Sequence, residues 1–127
     1  MVDTLRYLEW FEKANRDLRT SDTMYIAGGV EDIVAFHCQQ AVEKYLKGYL
    51  ILKTGVLTEG HSLIKLIKKC REFDREFNTL VDKSAFLNQF YLESRYPAED
   101  ALIVEIEDAE KCLNYAKEII EFIKVKI

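Results

Sequence analysis

The segment HCQQAVEKYLKGYL, residues 37–50, places a histidine, a cysteine, two glutamines, a glutamate and two lysines in one stretch of helical character. Side chains of these types can ligate a metal, attack as a nucleophile or bind an anion, and their spacing decides among these uses. Gln40, Lys44 and Lys47 follow at steps of four and three, so they share one helix face, with His37 one turn earlier and Gly48 adjoining. Amide and ammonium donors on a common face suit a phosphate. They equally suit a solvated surface, on which Glu43 and Lys47 would form an ordinary i,i+4 ion pair. Gly48 adds a hint, because a glycine inside a helix costs about 1 kcal/mol against alanine. Its presence points to close approach of a second helix or of a ligand.

Metal and nucleophile chemistry fit less well. Adjacent helix residues point about 100° apart, so His37 and Cys38 do not converge on one ion. The remaining histidine, His61, has no carboxylates around it at ligand-like spacing. No metal site and no cofactor are therefore expected. Cys38 falls on the apolar stripe of its helix, where a thiol behaves as a small hydrophobe. His61 opens a later helix and serves there either as a capping or packing residue or at the edge of a site. Lys65, Lys68, Lys69, Arg71 and Arg75 either complement the end of that helix or form a local surface that attracts phosphate. In SRYPAED, residues 94–100, Arg95 ends a helix and Pro97 restrains the turn after it. Its guanidinium either grips a phosphate through two parallel hydrogen bonds or pins the turn.

Elements able to position these groups are helical almost throughout. Residues 4–20 read as a first helix with Leu5, Leu8, Phe11 and Leu18 on one stripe, broken by TSDTMYIAGG. A second helix spans roughly residues 30–53, burying Val34, Cys38, Ala41, Val42, Tyr45, Leu46, Tyr49 and Leu52 and stopping before Gly55. A third, short helix follows TEGHS with Leu63, Leu66 and Ile67 inward, and a fourth covers residues 79–93 with Leu80, Phe86, Leu87, Phe90 and Tyr91. After Pro97, Leu102, Ile106, Ala109, Leu113, Ala116, Ile120, Ile123 and Ile127 form a heptad-like seam, the mark of a long bundle helix. Glu99 and Asp100 fall in its expected first turn and Lys124 and Lys126 in its last. Ile103, Cys112 and Ile119 widen its stripe beyond one bundle face, as a dimer contact would require. No segment alternates with period two. The fold class is all-α, an up-and-down bundle of four main helices plus a short one.

At 127 residues the chain is expected to form a single domain over residues 1–127. A formal charge of −4 excludes wholesale coating of DNA. Apolar runs such as ALIV and YLIL are far too short for a membrane span, and the N-terminal residues lack the basic region of a signal peptide. Three widely spaced cysteines read as reduced thiols in a cytoplasmic protein.

Taken in order, four segments resemble the HEPN domain family (higher eukaryotes and prokaryotes nucleotide-binding). WFEKANRDL is similar to the family's first helix. FHCQQAVEKYLKGYLI resembles its most recognisable block through Gln40, Glu43, Lys44, Leu46 and Lys47. HSLIKLI is similar to the following H-x-L element, and SRYP to the Arg-Tyr-Pro end of many stand-alone members. The resemblance implies a helical bundle, commonly a homodimer, often encoded beside a small nucleotidyltransferase with which it forms a toxin–antitoxin-like pair. It also implies a nucleotide- or RNA-phosphate-binding site, here assigned to Gln40, Lys44, Lys47, His61, Arg95 and Tyr96. Lys44 and Arg95 would contact phosphate, Gln40 and Lys47 would support them, and His61 would close the edge. Many relatives of this kind are metal-independent RNases using R-x4–6-H, in which arginine stabilises phosphate and histidine moves protons. Val30, Glu31 and Asp32 stand in the window before His37, and Thr54, Gly55 and Val56 in that before His61. Without the motif, the reading is a non-catalytic binding protein. The alternatives are an RNase with a rearranged set from His61, Arg95 and Tyr96, or a pure protein-interaction module.

Overall fold

Apolar residues between positions 31 and 54 recur on every side of the helix they form, and that helix becomes the centre of the molecule. In the computed structural model, which describes residues 6–91, 97 and 102–127, α2 (Glu31–Thr54) packs against each of the four other α-helices among the described residues. These are α1 (Arg6–Ala27), α3 (Leu63–Arg71), α4 (Val81–Asn88) and α5 (Ile106–Lys124). A 3-10 segment, Arg75–Leu80, leads into α4. No strand occurs among the described residues, so the all-α expectation holds. One hydrophobic core runs through the bundle and includes Tyr45, Leu46 and Tyr49 from α2 and Ile119 and Ile123 from α5.

α1 and α2 form an antiparallel pair, because early residues of one meet late residues of the other. Ser21 donates to the Val34 carbonyl at 2.9 Å, Tyr45 donates to Asn15 Oδ1 at 2.8 Å, and Phe11 stacks on Tyr45 at 4.6 Å between centroids. The Ser21 bond also explains why α1 outruns its expected end. TSDTMYIA continues the helix through Ala27, since Ser21 is fully buried and paired across the interface. Tertiary packing thus overrides the weak helix preference of Ser and Thr. Termination falls to Gly28 and Gly29, at φ 79° and 81°. Leu8, expected inward, is 53% exposed. Leu5 lies outside the described residues.

Gly48 proves to be a point of helix contact. A Cβ added there would stand 2.5 and 2.8 Å from the Phe11 ring and 3.3 Å from Trp10 Cβ. Phe11 has little room to move, being stacked on buried Tyr45. Gly48→Ala is therefore expected to destabilise the protein by about 1–3 kcal/mol, the cost of overpacking, despite alanine's better helix propensity. Urea denaturation measures it, and a stabilised variant would show that Phe11 moves aside freely.

α3 begins as read. Ser62 caps it by accepting from Lys65 N at 3.3 Å, and Leu63, Leu66 and Ile67 are buried. The expected fourth helix is instead divided into the 3-10 segment and α4, which ends before Tyr91. α5 starts later than expected, at Ile106, where the Glu105 and Asp108 side chains form a reciprocal capping box with each other's backbone N–H groups. Glu99 and Asp100 lie outside the described residues. Ile106 is 58% exposed, so the buried seam begins only at Ala109. Ile127 is also exposed, beyond the helix end. Lys124 occupies the last turn, whereas Lys126 lies past it and pairs with Asp74 at 2.9 Å and Glu76 at 2.8 Å. The wide stripe of α5 has an internal cause: Cys112 and Ile119 are fully buried because α5 packs on α2, α1 and α4 together. Those two positions leave no surface for a dimer contact.

Candidate functional site

Along α1 the buried positions are Phe11, Ala14, Asp17 and Ser21, so a carboxylate stands within an otherwise apolar stripe. Its partners come from α2. His37 Nδ1 lies 2.8 Å from Asp17 Oδ1, and Lys44 Nζ lies 2.5 Å from Oδ2. One carboxylate thus gathers two nitrogen groups that sit two turns apart on one face of α2. Burial pushes the Asp17 carboxyl upward, but hydrogen bonds from His37 and Lys44 and their charges outweigh it and hold the group below its usual value. A carboxyl that titrates lower in the folded chain stabilises the fold fully above its unfolded value near pH 4 and progressively less as pH falls through the lower folded value. Acidification below about pH 5 should therefore lower the melting temperature less in Asp17→Asn than in the native protein. Parallel acid profiles for the two proteins would contradict the pairing.

A second carboxylate organises the opposite flank of the same helix. Glu43 is 3% exposed and accepts from Lys47 Nζ at 3.1 Å and Gln39 Nε2 at 3.2 Å, while His61 Nδ1 lies 3.0 Å from its Oε2. Gln39 is satisfied in turn, donating to the His61 carbonyl at 3.3 Å and accepting from Gln40 at 2.8 Å. The His61 ring stacks on Tyr91 at 4.4 Å, and Tyr91 lies against Phe36 at 6.4 Å. His61 also lines a cavity of about 210 Å³ with Lys65 and Lys69. A second cavity, about 280 Å³, lies beside Lys44 and is lined by Glu9, Trp10 and Lys13. Both histidines are held at Nδ1, and neither Nε2 has a hydrogen-bond partner among the described residues. With Nδ1 protonated toward a carboxylate, Nε2 of a neutral imidazole accepts a proton or hydrogen bond, and that of the cation donates one.

The profile of the HEPN domain matches residues 7–126, nearly the whole chain. The chain belongs to the HEPN domain family. A Methanocaldococcus jannaschii protein named "Putative toxin MJ1304" is 28% identical, the match covering 94% of this chain and 88% of that one. The crystal structure of TT1696 from Thermus thermophilus superposes with a TM-score of 0.82 at 28% identity, covering 96% of this chain and 98% of the other. ST0689, described as an archaeal HEPN homologue, gives 0.75 at 26% identity, with coverages of 95% and 97%.

Within this HEPN bundle the expected site residues divide into three groups. Gln40 and Lys44 lie together on the partly exposed face of α2, and His61 comes from the α3 entrance to its other flank. Lys47, expected to support the phosphate contacts, is almost wholly buried. Its ammonium is buried against Glu43 and 5.8 Å from the Trp10 ring centroid, so it faces the interior of the helix pair. Arg95 and Tyr96 lie outside the described residues. The Glu43–Lys47 ion pair of the solvated-surface alternative is present, but it is interior. His37, one turn before Gln40 on the same face, is joined to Lys44 through Asp17. Asp17 itself was missed; its signal was an acidic residue in register with Phe11, Ala14 and Ser21. Cys38 is core as read, and burial pushes its thiol up to about 12, far from a nucleophile's range. Among the described residues no group of three or more histidines, cysteines or carboxylates is placed to hold a metal.

Proposed function

We propose that this HEPN chain binds a nucleotide or RNA phosphate on the exposed rim of α2 and acts as the non-catalytic partner of a small nucleotidyltransferase in a toxin–antitoxin-like pair. One observation carries the reading: Asp17 holds Lys44 and His37 together where both remain partly open, at 26% and 28% exposure. Lys44 shares that one negative charge with His37 and so keeps N–H capacity for an incoming phosphate; His37 Nε2 can donate to the same phosphate when the imidazole is protonated, and Gln40 lies between them on that face. The toxin name of the methanogen relative supports the toxin–antitoxin setting. Three free cysteines fit a cytoplasmic location, and no helix among the described residues is long and apolar enough to cross a membrane. A homodimer belongs to the same reading, supported by the exposed Ile26, Ile103 and Ile106, and light scattering tests it.

Calorimetry with adenosine monophosphate and short single-stranded RNA tests the binding. Lys44→Ala is expected to weaken it by about 1.5–3 kcal/mol, the scale of a hydrogen bond between charged groups. Asp17 keeps His37 in that variant, so stability should change less than affinity. Unchanged affinity would remove Lys44 from the site.

The two imidazole–carboxylate pairs favour a second reading, RNase activity, since a carboxylate on Nδ1 orients a histidine for proton transfer at Nε2. The first reading predicts no cleavage of generic single-stranded RNA. Cleavage that disappears in His61→Ala would put the second in its place.

A further inference from the structure

Trp10 is the only tryptophan of the chain, and it lies outside the core that buries Phe11 beside it. Half-buried, it lines the 280 Å³ cavity with Glu9, Lys13 and Lys44. The helix register explains the grouping. Lys13 stands one turn after Glu9 and one turn before Asp17, and Asp17 holds Lys44 from across the helix pair. Lys13 and Glu9 are exposed and make no ion pair among the described residues. Gly48 lets α1 and α2 close tightly at Trp10 Cβ, while the buried Lys47 ammonium sits near the indole. The cavity thus combines an aromatic surface, the ammonium that Lys44 shares with Asp17, and an ammonium and a carboxylate that have no ion pair among the described residues.

We propose that this cavity is the base-binding subsite of the rim, with a nucleobase stacked on Trp10 and its phosphate shared between Lys13 and Lys44. Each part answers to one feature of a nucleotide. An indole offers a base the largest stacking surface of any side chain, independent of base identity. Lys13 adds a positive charge that no carboxylate among the described residues neutralises, one that a phosphate can take up. Glu9 accepts from an exocyclic amine of the base. The subsite rests on the nucleotide-binding reading of Lys44 and extends it from a phosphate contact to recognition of the whole nucleotide, free or at the end of an RNA strand.

The lone tryptophan makes the test direct. The full-length protein is titrated with adenosine monophosphate, a single-stranded RNA hexamer and ribose 5-phosphate, following Trp10 emission and calorimetric heat together. Base-bearing ligands should quench the emission saturably, with midpoints equal to their calorimetric affinities. The more tightly bound of the two identifies the source, free nucleotide or RNA. Ribose 5-phosphate should bind on the order of tenfold more weakly and leave the emission unchanged. Trp10→Ala should weaken adenosine monophosphate on the order of tenfold and ribose 5-phosphate hardly at all, with Trp10→Phe between it and the native protein. Since Trp10 touches Gly48, the exposed Lys13→Ala provides a variant that leaves packing intact and should weaken both ligands alike. Heat of binding without quenching, and with native affinity in Trp10→Ala, would overturn the subsite and leave the Lys44 reading standing. Absence of both heat and quenching would remove the two together. Emission that follows protein concentration and ignores nucleotide would overturn the subsite in favour of a second copy covering Trp10.

Discussion

Glu43→Leu is expected to destabilise the protein by about 3–5 kcal/mol, the cost of stranding a buried charge. Lys47 is 6% exposed and its ammonium meets Glu43, so the variant leaves it inside the bundle without a counter-ion. Gln39 and His61 lose their acceptor in the same step. Lys47→Met should cost clearly less, because it removes the ammonium while Glu43 keeps two donors. The double variant should recover much of the loss, since an apolar pair can replace a buried ion pair at little cost. Chemical denaturation of the four proteins forms a complete cycle. A loss under about 1 kcal/mol for Glu43→Leu would mean that Lys47 reaches water, contrary to its burial.

The second large effect separates two residues that the heptad pattern treats alike. Leu113→Ala should cost about 2–5 kcal/mol, as expected for a core leucine whose cavity cannot fully close. Ile106→Ala should change stability by less than about 0.5 kcal/mol, the range of ordinary surface substitutions. Leu113 is 4% exposed and Ile106 58% exposed, although both occupy the same seam in the sequence. Equal losses would place the buried start of α5 a turn earlier than described.

That pair shows where the sequence was legible. Periodicity identifies a helical bundle and places α2 and α3 closely, because the signal is the repeated burial of one face. It does not show where α5 begins, which depends on the Glu105–Asp108 capping box, nor how far α1 extends, which depends on the Ser21 bond to Val34 across the helix pair. The candidate site divides similarly. Gln40 and Lys44 are visible from helix spacing alone. The Asp17 contacts link positions 20 and 27 residues apart, and no local pattern encodes them. Glu43 and Lys47 read correctly as a pair but not as a buried one. Their surroundings are set by Trp10 from α1 and His61 from the approach to α3.

Amide chemical-shift mapping of the full chain during titration with adenosine monophosphate tests the rim most directly. Binding there predicts saturable shifts concentrated at His37, Gln40 and Lys44 on α2 and at Trp10 and Lys13 on α1, with His61 at the margin. Shifts confined to the exposed lysines of α3 (Lys65, Lys68 and Lys69), or none at saturating nucleotide, would contradict a nucleotide site on α2.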